Sequence, residues 1–86
     1  MTGDEQAFLV AIRAAPADRT VRLVYADWLD ERGDPRAELV RVCEAMRRVP
    51  VFGDEYWRLK ARRGELWPRC PRDWLEATGY DGSDYD

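Results

Sequence analysis

Residues 23–34 read LVYADWLDERGD, and they place a carboxylate, Asp27, inside the most apolar stretch of the chain. Glu31 follows four positions later, one helical turn away. Two carboxylates at that spacing could work as an acid/base pair, or as a weak all-oxygen site for Mg²⁺ or Ca²⁺. The competing reading is a structural brace, in which Asp27 takes donors from Arg36 or from the free N–H groups at the start of another helix. Tyr25 and Trp28 flank it at core-like positions. The brace is the expected role, because the rest of a catalytic set is missing. The chain has no histidine, the commonest general base and metal ligand. Cys43 and Cys70 stand 27 positions apart, with no Cys-x-x-Cys pair and no ligand cluster of zinc type. Without a histidine, no Cys–His nucleophile can be assembled. Cys43 falls on an apolar helix face and reads as core. Cys70 is expected to be more exposed, with Arg69 and Arg72 placed to lower its pKa. No catalytic residue, cofactor or metal is assigned.

A second constellation mixes cations with aromatic rings. Residues 47–72 hold seven Arg and one Lys against three acids, interleaved with Phe52, Tyr56, Trp57 and Trp67. Arginine beside exposed rings suits single-stranded nucleic acid. It suits protein interfaces equally, where Trp, Tyr and Arg dominate the binding energy. The bases spread around the helix rather than forming one stripe. The chain as a whole is acidic, with net charge −3 and an isoelectric point near 5.0, which argues against a dedicated nucleic-acid domain. Tyr56, Trp57, Arg58, Arg62 and Trp67 are therefore taken as candidate partner-binding residues. Nucleic acid is kept as the alternative partner, and contact between copies as a further possibility.

The elements that must position these residues are helices. Phe8, Leu9, Ile12 and Ala15 recur at helical spacing before Pro16 ends the first helix. Asp18 is placed to cap a second helix, whose apolar stripe is Val21, Val24, Tyr25, Trp28 and Leu29. At about 100° per residue, Asp27 falls at the edge of that stripe. Gly33-Asp34-Pro35 then encodes a helix–turn–helix corner. The glycine accepts left-handed angles, Asp34 caps the next helix, and Pro35 sits where a missing N–H does no harm. Leu39, Val42, Cys43 and Met46 share a face of the third helix. After a VPVFG connector, a fourth helix is predicted from Asp54 to about Trp67, with Tyr56, Leu59, Arg63 and Leu66 along one side. A short element follows over Arg72 to Thr78, holding Trp74 and Leu75. Residues 79–86, GYDGSDYD, read as an acidic, mobile tail.

At 86 residues the chain predicts one all-α domain over 1–78, a small bundle of three to five short helices. The first three helices look like its best-defined unit, and 48–78 forms a basic, aromatic-rich extension. So small a domain leaves little room for an enclosed substrate pocket of about 300–1,000 Å³. No apolar run approaches the roughly 20 residues of a membrane span, and residues 1–15 lack the pattern of a signal peptide. A cytoplasmic protein with free thiols is the expectation.

The run DEQAFLVAIRAAPADRTVRLVYADWLDERGDPRAELVRV resembles the bacterial repeat-companion domain of planctomycete-type proteomes. Leu23 to Glu38 is similar to that family's LVYADWLEERGDPRAE hallmark, with Asp30 where the pattern often has Glu. The resemblance covers about residues 4–47. It implies a helical module used in association, alone or beside repeat arrays, and it transfers no catalytic residue.

Overall fold

The computed structural model describes residues 3–80 as five helices, with no strand among them. The helices are α1 (Gly3–Ala14), α2 (Arg19–Glu31), α3 (Arg36–Met46), α4 (Asp54–Leu66) and α5 (Arg72–Thr78), with one 3-10 turn, Trp67–Arg69, between the last two. The fold is thus the all-α bundle expected. α3 packs between α2 and α4, while α1 lies against α2 and α5.

Local chemistry sets the boundaries. Thr20 N–H donates to the Asp18 carboxylate at 2.9 Å, so Asp18 caps α2. At its other end Asp34 N–H reaches Leu29 O (3.0 Å) and Gly33 N–H reaches Asp30 O (2.9 Å). This pair of bonds closes a Schellman motif, and it requires the left-handed backbone that Gly33 adopts, φ 67°. Pro35 already has helical angles, and Arg36 N–H donates to Asp34 Oδ1 at 3.0 Å. The Arg36 guanidinium folds back onto the same carboxylate, with its shortest bond at 2.7 Å. Those bonds hold Asp34 below its ordinary pKa of 3.8.

The core combines Leu9 and Ile12 of α1, Tyr25, Ala26 and Leu29 of α2, most of α3, Leu66, and Trp74 and Leu75 of α5. On α2 the buried face differs from the stripe read in sequence. Arg22, Tyr25, Ala26 and Leu29 are buried, whereas Val24 is exposed and Trp28 only half-buried. At 100° per residue this rotates the face by roughly 80°. Arg22 is the reason: a cation that hydropathy assigns to solvent lies wholly inside. Its Nη1 donates to Thr78 O at 2.9 Å, its Nε donates to Pro16 O at 3.3 Å, and Glu44 lies 4.0 Å away.

Further polar links tie the chain ends to its middle. Trp74 Nε1 donates to Tyr25 Oη at 2.8 Å, and Tyr25 Oη donates to Glu5 Oε2 at 3.1 Å. Arg36 Nη2 donates to the same Glu5 oxygen at 2.8 Å. Burial pushes the Tyr25 hydroxyl up to about 12. Tyr80 Oη donates to Glu44 Oε2 at 3.0 Å. Two expectations change here. Tyr80, assigned above to the tail, is fully buried, so the packed body runs through residue 80; 81–86 lie outside the described residues. The unit of the first three helices is also completed by later residues, because Arg22, Tyr25 and Glu44 find partners beyond residue 70.

Candidate interaction surface

The connector after α3 turns at Pro50-Val51-Phe52-Gly53, closed by Gly53 N–H to Pro50 O at 3.1 Å. Phe52 occupies the third position of this turn with φ 69° and is the only non-glycine residue with positive φ among those described. Such a backbone normally belongs to Gly or Asn and costs a side-chain-bearing residue about 1–2 kcal/mol. The strained residue is also the most exposed of the large hydrophobic residues described: Phe52 is 72% exposed, beside Val51 at 63% and Trp57 at 48%. Three rings pack on one another here. Phe52 and Trp57 lie 5.7 Å apart, Tyr56 and Trp57 5.4 Å, and Phe52 and Tyr56 6.0 Å, the last two pairs edge to face. Lys60 Nζ stands 5.3 Å above the Trp57 ring. Tyr56 is half-buried and joins this cluster to the core.

The helix beneath presents the cluster because its inward face is thin. Leu66 is the one fully buried residue of α4, with Tyr56, Leu59, Arg62 and Arg63 half-buried. Of the five partner-binding candidates, Tyr56 and Trp57 belong to the ring cluster. Arg58 is exposed beside them and forms no ion pair among the described residues. Arg62 turns away. It bonds Glu38 of α3 at 2.6 and 2.8 Å and Glu65 at 3.0 Å, which holds the Glu38 carboxyl below its ordinary range. Trp67 is a clasp: its Nε1 donates to Tyr80 O at 2.8 Å, and Arg63 Nη2 reaches the same oxygen at 3.4 Å. Phe52 and Val51 were not among the candidates. Phe52 stood in the aromatic run, but nothing in VPVFG says which way its ring faces.

Asp27 is corrected in detail. It is exposed, and its partner is Arg41 Nη2 at 2.7 Å rather than Arg36; Arg41 also reaches Asp30 at 3.4 Å. Arg36 is held by Asp34 and Glu5, and the rotation of α2 carries Asp27 away from it. The carboxylate still links α2 to α3, now from the outer surface. Trp28 carries Arg32 stacked 3.8 Å above its ring. Cys43 is buried, as its helix face predicts. Cys70 is half-buried, its Sγ 3.6 Å from Leu66 O, and burial pushes its thiol up rather than down. Among the described residues, no three His, Cys, Asp or Glu side chains converge as a metal site, and no helix is long and apolar enough to cross a membrane. No family model, curated protein or solved structure matches this chain.

Proposed function

We propose that the protein is a non-catalytic interaction module, an adaptor or small subunit that docks a partner protein through Phe52, Tyr56 and Trp57, with Val51 and Arg58 at the rim. One observation carries this reading: a strained turn holds large apolar side chains in solvent, where burying them in a partner would gain roughly 25 cal/mol per Å². The resemblance of residues 4–47 to repeat-companion domains supports the same association role. Nucleic acid is the weaker partner for this segment. Arg62 is neutralised by two carboxylates, Arg63 is turned to a backbone carbonyl, and Lys60 stands over Trp57. Affinity capture from nuclease-treated lysate of the source organism, with wild-type and Phe52→Ala/Trp57→Ala baits side by side, tests the proposal. A partner retained by the wild type and lost by the double variant is expected. Equal capture by both baits, or none by either, overturns it.

A further inference from the structure

α1 and α2 lie on the other side of α3 from α4, and a groove of about 580 Å³ runs between them. Its wall is largely apolar: Ala7, Phe8 and Ala11 from α1, and Val21, Val24 and Trp28 from α2. The two alanines present only methyl groups, and the Phe8 and Trp28 rings, 5.8 Å apart, pack inward against the core. Val24 remains 49% exposed. Asp4 is the only charged residue lining the groove among those described, and it forms no ion pair among them.

The same molecule displays a matching projection. Val51, Phe52 and Trp57 hold apolar side chains in solvent at the connector and the first turn of α4. Projection and groove both gain from leaving water. Their charges agree in sign. Residues 1–46 hold nine acids against six Arg, whereas 47–72 hold eight bases against three acids. Beside the rings, Arg58 is exposed without an ion pair among the described residues and Lys60 stands over Trp57, so either cation can face Asp4. The nearby opposing charges are partly spent: Asp54 and Glu55 lie at the positive end of the α4 dipole, and Arg32 is stacked on Trp28. A second copy therefore meets the groove with the chemistry it lacks. We propose that the protein assembles head to tail, the Phe52–Trp57 ring cluster of one copy seated in the α1–α2 groove of the next. Such a contact uses two different surfaces, so each added copy leaves one ring cluster and one groove open and the assembly grows. Six apolar groove residues fall far short of the roughly 20–30 residues a side of a stable interface, so the contact is weak. The inference rests on reading the ring cluster as a docking surface, and it supplies that surface with an occupant that any other partner must displace.

The test is sedimentation equilibrium of the full chain at low ionic strength, over about 0.01–1 mM protein, the range in which a contact this small should associate. The mean mass of the wild type should rise with concentration and pass the dimer without a plateau. Val24→Lys blocks the groove at an exposed position, and Phe52→Ala/Trp57→Ala removes the projection. Each variant alone should associate at least tenfold more weakly, with thermal melts confirming that both fold. Mixed in equal amounts, the two should form a one-to-one complex at wild-type affinity and stop there, because one supplies the only intact ring cluster and the other the only intact groove. Asp4→Lys should weaken wild-type growth at least threefold. A monomeric wild type, a plateau at the dimer, a mixture that stays monomeric, or full growth by Asp4→Lys would each overturn the inference. A monomeric wild type that still captures a lysate protein through Phe52 and Trp57 overturns this inference alone and leaves the adaptor reading standing. Head-to-tail growth without capture of any other protein supports this inference and overturns the adaptor reading.

Discussion

Replacing Tyr25 by Phe removes a single oxygen from the centre of the fold. That oxygen accepts from Trp74 Nε1 at 2.8 Å and donates to Glu5 Oε2 at 3.1 Å. The ring stays, so the apolar contacts with Phe8 and Trp28 remain. The indole N–H loses its acceptor inside the core, at a cost of about 1–3 kcal/mol. Glu5 loses one hydrogen bond to a charged acceptor, worth about 1.5–3 kcal/mol, although Arg36 still donates to it. Allowing for that retained partner, Tyr25→Phe should destabilise by about 3 kcal/mol. For a domain of this size that corresponds to a fall of roughly 12–24 °C in Tm. Urea unfolding followed by tryptophan fluorescence measures it, with an unchanged m-value showing that the folded state keeps its compactness. Adding Trp74→Phe should cost less than the sum of the two single changes, since the donor then leaves with its acceptor. A loss below about 0.5 kcal/mol for Tyr25→Phe would refute the claim that this relay helps hold α1, α2 and α5 together.

Asp34→Asn keeps a capping side chain but not the charge facing Arg36. Because the native carboxyl lies below 3.8, the unfolded chain binds its proton first as pH falls, and this part of the stability is complete above that value and lost below it. The urea-derived gap between wild type and Asp34→Asn should therefore shrink as pH drops from 6 to 3. At the alkaline end, Tyr25 and Tyr80 are both raised by burial above their ordinary value of 10.0, so the wild type should lose stability as pH rises past about 10. Thermal melts at pH 8, 10 and 11 check this. Phe52→Gly relieves the left-handed strain and should raise stability by up to about 1 kcal/mol while abolishing capture of the partner. Thiol titration of the native protein at pH 8 should be slow at both cysteines, with Cys70 reacting ahead of Cys43 and both reacting at once in denaturant.

The helices and their caps were readable from sequence because they depend on neighbours. Asp18, Gly33 and Asp34 act within a few residues of themselves, and Leu39, Val42, Cys43 and Met46 of α3 are buried where periodicity places them, although Glu44 beside them is buried against its hydropathy. The inward face of α2 was not readable in the same way. Hydropathy places Arg22 outside, whereas its burial depends on a carbonyl 56 positions away. Tyr80 was read as tail for the same reason: an acidic, glycine-containing context hides a hydroxyl whose partner is Glu44. For the candidate surface, the sequence marked the segment that carries the displayed rings but not its organisation. Composition marked Tyr56, Trp57, Arg58, Arg62 and Trp67 together, and only tertiary packing divides the displayed rings from the residues bonded inward. Phe52 could not be singled out because positive φ at a phenylalanine has no sequence signal.

The long-range bonds onto residues 74–80 also bear on how the molecule is made. At about 5–20 residues per second, translation from the end of α3 to Tyr80 takes a few seconds. Throughout that interval α1, α2 and α3 can form as helices, yet Arg22, Tyr25 and Glu44 await partners that have not been synthesised. A nascent chain stopped near residue 47 carries charged groups at the places where a dry core must close, so it should remain loosely collapsed and open to proteases. Completion is then a late event in which α5 arrives and the remaining polar groups close together, making the final seven residues of the packed body a gate on maturation.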